Sequence, residues 1–168
     1  VVHWAENLRP NLEFRMGLAG LGADMPPAMD QQSRLWTGTG NAPGNLVSGL
    51  RGTPVLLLKP PTGISTGACF SALRGEFSAE GLTLDTQNLQ KSLQSTRNDL
   101  QAPASMLNAD VAEALECLSA IKGSWLVRMT GSGSTCFALF NEKGPRDAAL
   151  DQLIRTYPTW WSAAAEIL

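Results

Sequence analysis

The chain has 168 residues and a formal net charge of −2, which suits one domain, or one small domain with part of another, and argues against a nucleic-acid binder driven by phosphate neutralisation. Hydrophobic residues make up 43% and charged residues 17%, so a packed core is expected and wholesale disorder is not. No apolar run approaches the roughly 20 residues that span a bilayer, and Glu6, Arg9 and Glu13 interrupt any signal-peptide core, so no membrane partner and a cytoplasmic location are expected.

Leu12, Met16 and Ala19 fall at near-helical spacing and predict a helix over residues 11–21 that ends before Gly22. Pro26 disfavours helical backbone at Met25, so Met25 is expected to be extended and Asp24 to sit on a turn. Residues 30–52 are polar and rich in Gly and Asn, and predict loops with a short hairpin around Arg34, Leu35 and Trp36. Pro54 to Lys59 is an apolar run stopped by Pro60 and Pro61, which predicts a buried strand. Thr62 to Thr66 forms a polar turn, in which Ser65 or Thr66 caps a helix over Ala68 to Leu73. After a loop over residues 75–85, one helix is expected over Leu84 to Leu93. Another, opened by Asn98, Asp99 and Leu100, runs to about Leu107.

Asp110 is expected to cap the most regular helix, in which Val111, Ala114, Leu115, Leu118 and Ile121 share one face, Glu113 supports the start and Gly123 stops the end. Trp125 to Met129 and Cys136 to Phe140 read as two short buried strands. Gly144 and Pro145 start a further helix with Leu150, Leu153 and Ile154 on one side, and Pro145 suits its first position. The tail from Trp160 to Leu168 allows two readings: Ala163 to Glu166 favours helix, whereas a terminal strand would complete a sheet. The order of strand, helices, strand, turn, strand and helix indicates an α+β fold.

The stretch with most chemical content is the turn Thr130 to Thr135 between the two apolar strands. Gly131 and Gly133 allow positive φ and close backbone approach. The hydroxyls of Ser132, Ser134 and Thr135, with unpaired N–H groups, could face a phosphate or a polar neighbour. On spacing alone a plain tight hairpin is the ordinary reading. The chain has no G-x-x-x-x-G-K-[ST] and no complete G-x-G-x-x-G, since Gly38-Thr39-Gly40 and Gly131-Ser132-Gly133 both stop short. Cys69, Cys117 and Cys136 are widely spaced, with His3 the sole histidine. Neither a metal site, a disulfide framework nor a hydrolase triad is indicated, and buried reduced thiols are expected.

Four segments in order resemble the GHMP kinases: Leu21 to Pro26, Lys59 to Thr66, Asn98 to Leu100, and Thr130 to Phe140. The resemblance runs from about residue 17 to 168 and is nearest the branch that acts on 4-diphosphocytidyl-2-C-methyl-D-erythritol. It implies a carboxy-terminal ferredoxin-like α+β sandwich over residues 53–168, preceded over residues 1–52 by the end of a catalytic domain. It implies ATP-dependent phosphorylation of the 2-hydroxyl of that alcohol in non-mevalonate isoprenoid synthesis, with ATP and Mg²⁺ as cofactors and a homodimer as the candidate assembly. The family's catalytic lysine and its Gly-Leu-Gly-Gly-Gly-Ser-Ser phosphate loop have no counterpart here, so the chain alone is expected to be inactive.

By the same resemblance, Asp24 matches the catalytic aspartate, although its ordinary reading is a turn aspartate bonded to its own backbone. Pro61, Thr62, Gly63, Ser65 and Thr66 match a substrate-side turn, with a simple helix cap as the equal alternative. Gly131, Ser132, Gly133, Ser134 and Thr135 match a block beside the active site. Asn98 and Asp99 are expected to fix local structure, and Trp36, Trp125, Trp160 and Trp161 to serve packing. Met25 stands where the family has Val, Pro27 and Ala28 where it has an apolar run, Asn41 where it has an acidic residue, and Gln101 where it has Glu. The alternatives are another kinase of the family acting on a different alcohol, and a non-catalytic remnant that binds a partner or ligand.

Overall fold

A computed structural model describes residues 25–30, 32–38, 40, 42–75, 77–78 and 83–168. The helix expected over residues 11–21 and the turn expected at Asp24 lie outside them. The described residues fall into two units, one ending at Leu50 and one running from Arg51 to Ile167.

In the first unit, α1 (Met25–Asp30) is followed by an antiparallel hairpin of β1 (Arg34–Thr37) and β2 (Ala42–Leu46). Met25 is helical, against the expected extended backbone. Pro26 and Pro27 fall in the first helical turn, where the N–H they lack would have no intrahelical acceptor. Arg34 secures the hairpin by donating from Nε to Asp30 at 2.8 Å and from Nη1 to the Gly44 carbonyl at 2.8 Å.

The second unit begins with β3 (Pro54–Lys59), then four helices: α2 (Thr66–Ala72), α3 (Leu89–Gln94), α4 (Gln101–Leu107) and α5 (Ala109–Ala120). A hairpin of β4 (Ser124–Met129) and β5 (Cys136–Phe140) follows, then α6 (Lys143–Thr156) and β6 (Trp161–Glu166). The sheet order is β4-β5-β3-β6, and every neighbouring pair is antiparallel. This is the β-α-β-β-α-β arrangement of the ferredoxin-like fold.

β3 lies between two partners and is apolar because both its edges and much of its surface are covered. Leu56 and Leu58 pack with Val111, Leu118, Met129, Phe140 and Leu153 in the main core. Ala104, Ala114, Ala138 and Ala149 are buried among them, small enough for helices to approach the sheet closely. Truncating Leu56 or Leu118 to alanine would cost about 2–5 kcal/mol.

Four local expectations are corrected. α3 begins at Leu89 rather than Leu84, because Asp85 accepts from the Gln87 and Asn88 amides and holds a turn ahead of the helix. Asn108, not Asp110, caps α5: its Oδ1 accepts the Asp110 amide at 2.9 Å, which places Asp110 in the first turn. α5 ends at Ala120, ahead of Ile121 and Gly123. Pro145 is the third residue of α6, which starts at Lys143 with Glu142 as its cap. The tail takes the strand reading. β6 pairs with β3 from Trp161↔Lys59 to Glu166↔Pro54, so ladder hydrogen bonds override the helix preference of three alanines.

Candidate active site

β4 and β5 end at Met129 and restart at Cys136, both buried, so the turn between them is anchored at its two feet. The Thr130 amide donates to the Thr135 carbonyl at 2.9 Å, and the Gly133 amide to the Thr130 carbonyl at 3.0 Å. Gly131 has φ +55° and Gly133 φ +91°, as this closure requires. At Gly133 space is also lacking: a Cβ would lie 2.8 Å from the Met129 sulfur and 3.5 Å from Ile64 Cδ1. Among the described residues, the amides of Gly131, Ser132 and Ser134 donate to no backbone carbonyl.

Ser134 is 3% exposed, and its Oγ has no hydrogen-bond partner. Ser132 Oγ lies 2.9 Å from Thr66 Oγ1, the first residue of α2. The two turns singled out in the sequence, 61–66 and 130–135, therefore meet side chain to side chain.

Within the 61–66 turn the hydroxyls divide their tasks. Thr62 Oγ1 donates to Asp110 at 2.6 Å and accepts from Asn108 Nδ2 at 2.9 Å, which ties the turn to the start of α5. Ser65 caps α2, its Oγ accepting the Ala68 amide at 3.4 Å. Pro61, Thr62, Gly63, Ser65 and Thr66 are all exposed. Of the three hydroxyls, only that of Thr66 points its hydrogen bonding at the glycine-rich turn.

Two residues behind the turn carry contacts that the motif alone does not display. Asn98 Nδ2 donates to the carbonyls of both Met129 and Gly131 at 2.8 Å, while its Oδ1 accepts the Leu100 amide at 3.0 Å. Gln101 Oε1 accepts the Met129 amide at 3.0 Å. Nothing local in Asn98-Asp99-Leu100-Gln101 announces these bonds, which span about thirty residues of sequence. Asp99 faces elsewhere. The Ser78 amide, then the Arg97 guanidinium and the Ser78 hydroxyl, hold its carboxyl down to about 2.

Burial raises all three thiols, Cys117 included. Burial pushes Cys136 up to about 12 and raises Cys69, so both stay protonated near neutrality. Trp160 stacks on Tyr157 with ring centroids 4.5 Å apart, while Trp36 and Trp125 are half-buried and Trp161 is exposed on β6. Among the described residues, no three His, Cys, Asp or Glu side chains converge in a way that would hold a metal ion. Asp24 lies outside the described residues.

Residues 79–159 match the family model described as GHMP kinases C terminal. The chain is 36% identical over 144 residues to the 4-diphosphocytidyl-2-C-methyl-D-erythritol kinase of Novosphingobium aromaticivorans, covering 86% of this chain and 48% of that one. It is 38% identical over 149 residues to the protein of the same name from Sphingopyxis alaskensis, covering 88% and 51%. A crystal structure of 4-(cytidine 5'-diphospho)-2C-methyl-D-erythritol kinase matches with a TM-score of 0.70 at 25% identity, covering 90% of this chain and 56% of that chain. The chain spans about half the length of the curated relatives it matches.

Proposed function

We infer that this chain, which belongs to the GHMP kinase family and carries its carboxy-terminal domain, forms the substrate-binding part of a small-molecule kinase. The reaction is transfer of the γ-phosphoryl group of ATP to the 2-hydroxyl of 4-diphosphocytidyl-2-C-methyl-D-erythritol, the alcohol in the relatives' names. Residues 53–168 act as the substrate domain and residues 1–52 as the end of the catalytic domain. No helix among the described residues is long and apolar enough to cross a membrane.

The observation that carries this reading is the junction of the two turns through Thr66 and Ser132, beside the amides of Gly131, Ser132 and Ser134, which donate to no backbone carbonyl. Successive N–H groups of a glycine-rich turn suit phosphate oxygens. Phosphoryl transfer proceeds through a loose transition state, so the protein's work is to position groups and offset spread negative charge. In this reading the amides of Gly131, Ser132 and Ser134 and the hydroxyls of the turn do so on the substrate side. Asp24 takes the proton of the attacking hydroxyl. ATP supplies the phosphoryl group with Mg²⁺ beside its phosphates, and no described residue of this chain is assigned as a metal ligand.

The test is to fuse the chain behind the amino-terminal half of the Sphingopyxis alaskensis relative and follow ADP release with ATP, Mg²⁺ and the diphosphocytidyl alcohol. Turnover in the range of about 1–100 s⁻¹ is expected from the fusion and none from the 168-residue chain alone. A folded fusion without turnover on this alcohol overturns the reading.

A further inference from the structure

We propose that Asn98 and Gln101 form a positioning latch that sets the glycine-rich turn for phosphoryl transfer. This rests on the kinase reading above and adds two residues whose side chains bond backbone groups of the turn and its entry.

Among the described residues β4 is an edge strand of the sheet, with β5 on one side and no strand on the other. An edge leaves alternate backbone groups bare, and a residue paired at the strand's end has little to hold it there. At Met129, the last residue of β4, the N–H and the carbonyl are taken by side chains at and just ahead of the start of α4. Gln101 Oε1 accepts the Met129 N–H at 3.0 Å, and Asn98 Nδ2 donates to the Met129 carbonyl at 2.8 Å. The second Nδ2 hydrogen goes to the Gly131 carbonyl at 2.8 Å, inside the turn itself. Oδ1 is occupied by the Leu100 amide. One amide side chain thus spends both donors and its acceptor on three backbone groups.

The geometry selects the residue type. An aspartate would keep the bond from the Leu100 amide but could donate to neither carbonyl, and its charge would face two carbonyl oxygens. Gln101 uses only its acceptor oxygen, which a glutamate also provides, so a glutamate at this position would hold Met129 equally well. The latch reaches reacting groups through one further residue. Gly131 is covalently joined to Ser132, whose Oγ meets Thr66 Oγ1 at 2.9 Å, so fixing the Gly131 carbonyl fixes where the Ser132 hydroxyl and the amides of the turn sit. Misplacement by about 1 Å is enough to cost roughly a hundredfold in rate in a reaction that depends on orientation.

The test uses the fusion described above and the 168-residue chain side by side. In the fusion, Asn98→Asp should lower kcat by roughly 10–100-fold at saturating ATP and alcohol, with KM for ATP little changed and the folded fraction intact at the assay temperature. Gln101→Leu should lower kcat in the same way, and Gln101→Glu should recover it relative to Gln101→Leu. That recovery is not expected of a residue that only packs. Should Asn98→Asp fail to fold, the Leu and Glu variants at position 101 decide the matter, and equal kcat in those two overturns the latch. In the chain alone, Asn98→Asp should speed hydrogen exchange of the Thr130 and Gly133 amides, whose bonds close the turn. Unchanged exchange there overturns the latch whatever the fusion does. An inactive unmutated fusion overturns the kinase reading and, with it, the catalytic role of the latch. An active fusion with wild-type kcat in folded Asn98→Asp overturns the latch alone.

Discussion

Thr66 Oγ1 and Ser132 Oγ stand 2.9 Å apart although 66 positions separate them in the chain. One begins α2, and the other sits in the loop between the edge strand β4 and its neighbour β5. Their contact joins the loop that follows β3 to the loop that enters β5, the antiparallel neighbour of β3. It is the one side-chain hydrogen bond among the described residues that links the 61–66 and 130–135 turns, and the expected effects below are arranged around it.

Thr62 is expected to matter for stability and not for substrate. Its hydroxyl bridges Asp110 and Asn108 at the start of α5. Thr62→Val should lower stability by about 1 kcal/mol, the net worth of a typical hydrogen bond. Asn108→Ala should cost about 0.5–2 kcal/mol because it also removes the cap of α5. Chemical denaturation of the chain measures both. In the fusion, a KM for the alcohol that rises tenfold in folded Thr62→Val would place this hydroxyl on substrate instead.

Asp99 makes stability depend on acid. The Ser78 amide, Arg97 and the Ser78 hydroxyl hold its carboxyl at about 2, below the ordinary 3.8. The folded pKa is the lower one, so the stabilisation is present above the ordinary value and is lost as pH falls from 3.8 towards about 2. Wild type should be more stable than Asp99→Asn near neutrality, and the gap in denaturation midpoint should close across that window. A gap that is constant from neutral pH to about 2 would mean the carboxylate charge is not what Ser78 and Arg97 hold.

Tyr157 is the chain's only tyrosine, so its ionisation can be followed directly by tyrosinate absorbance. Its hydrogen bond to Glu113, then burial, push the phenol up to about 12 from an ordinary 10.0. Here the folded pKa is the higher one: the stabilisation is complete below the ordinary value and is lost as pH rises towards about 12. Glu113→Gln should bring the titration midpoint down, since the charged acceptor is gone. A wild-type midpoint at the ordinary phenol value would show that the contact does not hold in solution.

Asp24→Asn in the active fusion should reduce kcat by roughly a hundredfold or more, as removal of a general base does, with folding intact. The amide keeps the shape but cannot take the proton. Unchanged kcat at saturating substrate would reduce Asp24 to a turn residue.

What could be read from sequence follows from how local each feature is. β3 and β5 are continuous apolar runs with hard stops at Pro60 and Asn141, and the run lengths give the strands directly. The buried face of α5 is likewise visible in the spacing of Val111, Ala114 and Leu118. The cap of α5 is less legible, because Asp110 is a good capping residue by type and only the backbone geometry places the cap two residues earlier, at Asn108. β6 is ambiguous in the sequence because three alanines prefer helix, and a long-range ladder with β3 overrides them. The glycine turn could be identified locally, since positive φ at Gly131 and Gly133 is a property of the residue type. The bonds from Asn98, Gln101 and Thr66 to that turn could not, because they depend on which segments the fold brings together.

The glycine-rich turn itself separates a ligand-facing loop from a hairpin. Gly133→Val puts a β-branched side chain at φ +91°, with its Cβ within 2.8 Å of the sulfur of Met129. Met129 is 1% exposed and cannot swing into solvent, so the strain stays in the turn. A cost of about 1–3 kcal/mol in stability is expected whether or not the turn meets a ligand. Ser132→Ala is the sharper variant, because it deletes a hydroxyl without forcing the backbone. Losing its bond to Thr66 should cost stability by about 1 kcal/mol or less. In the active fusion, Ser132→Ala should lower kcat/KM by more than that loss of folded protein accounts for, and Thr66→Val should do the same if the pair acts as a unit. Melting temperature and kcat/KM measured on the same preparations give the comparison. If both variants are less stable but the folded fraction keeps wild-type kcat/KM, the turn is a structural hairpin.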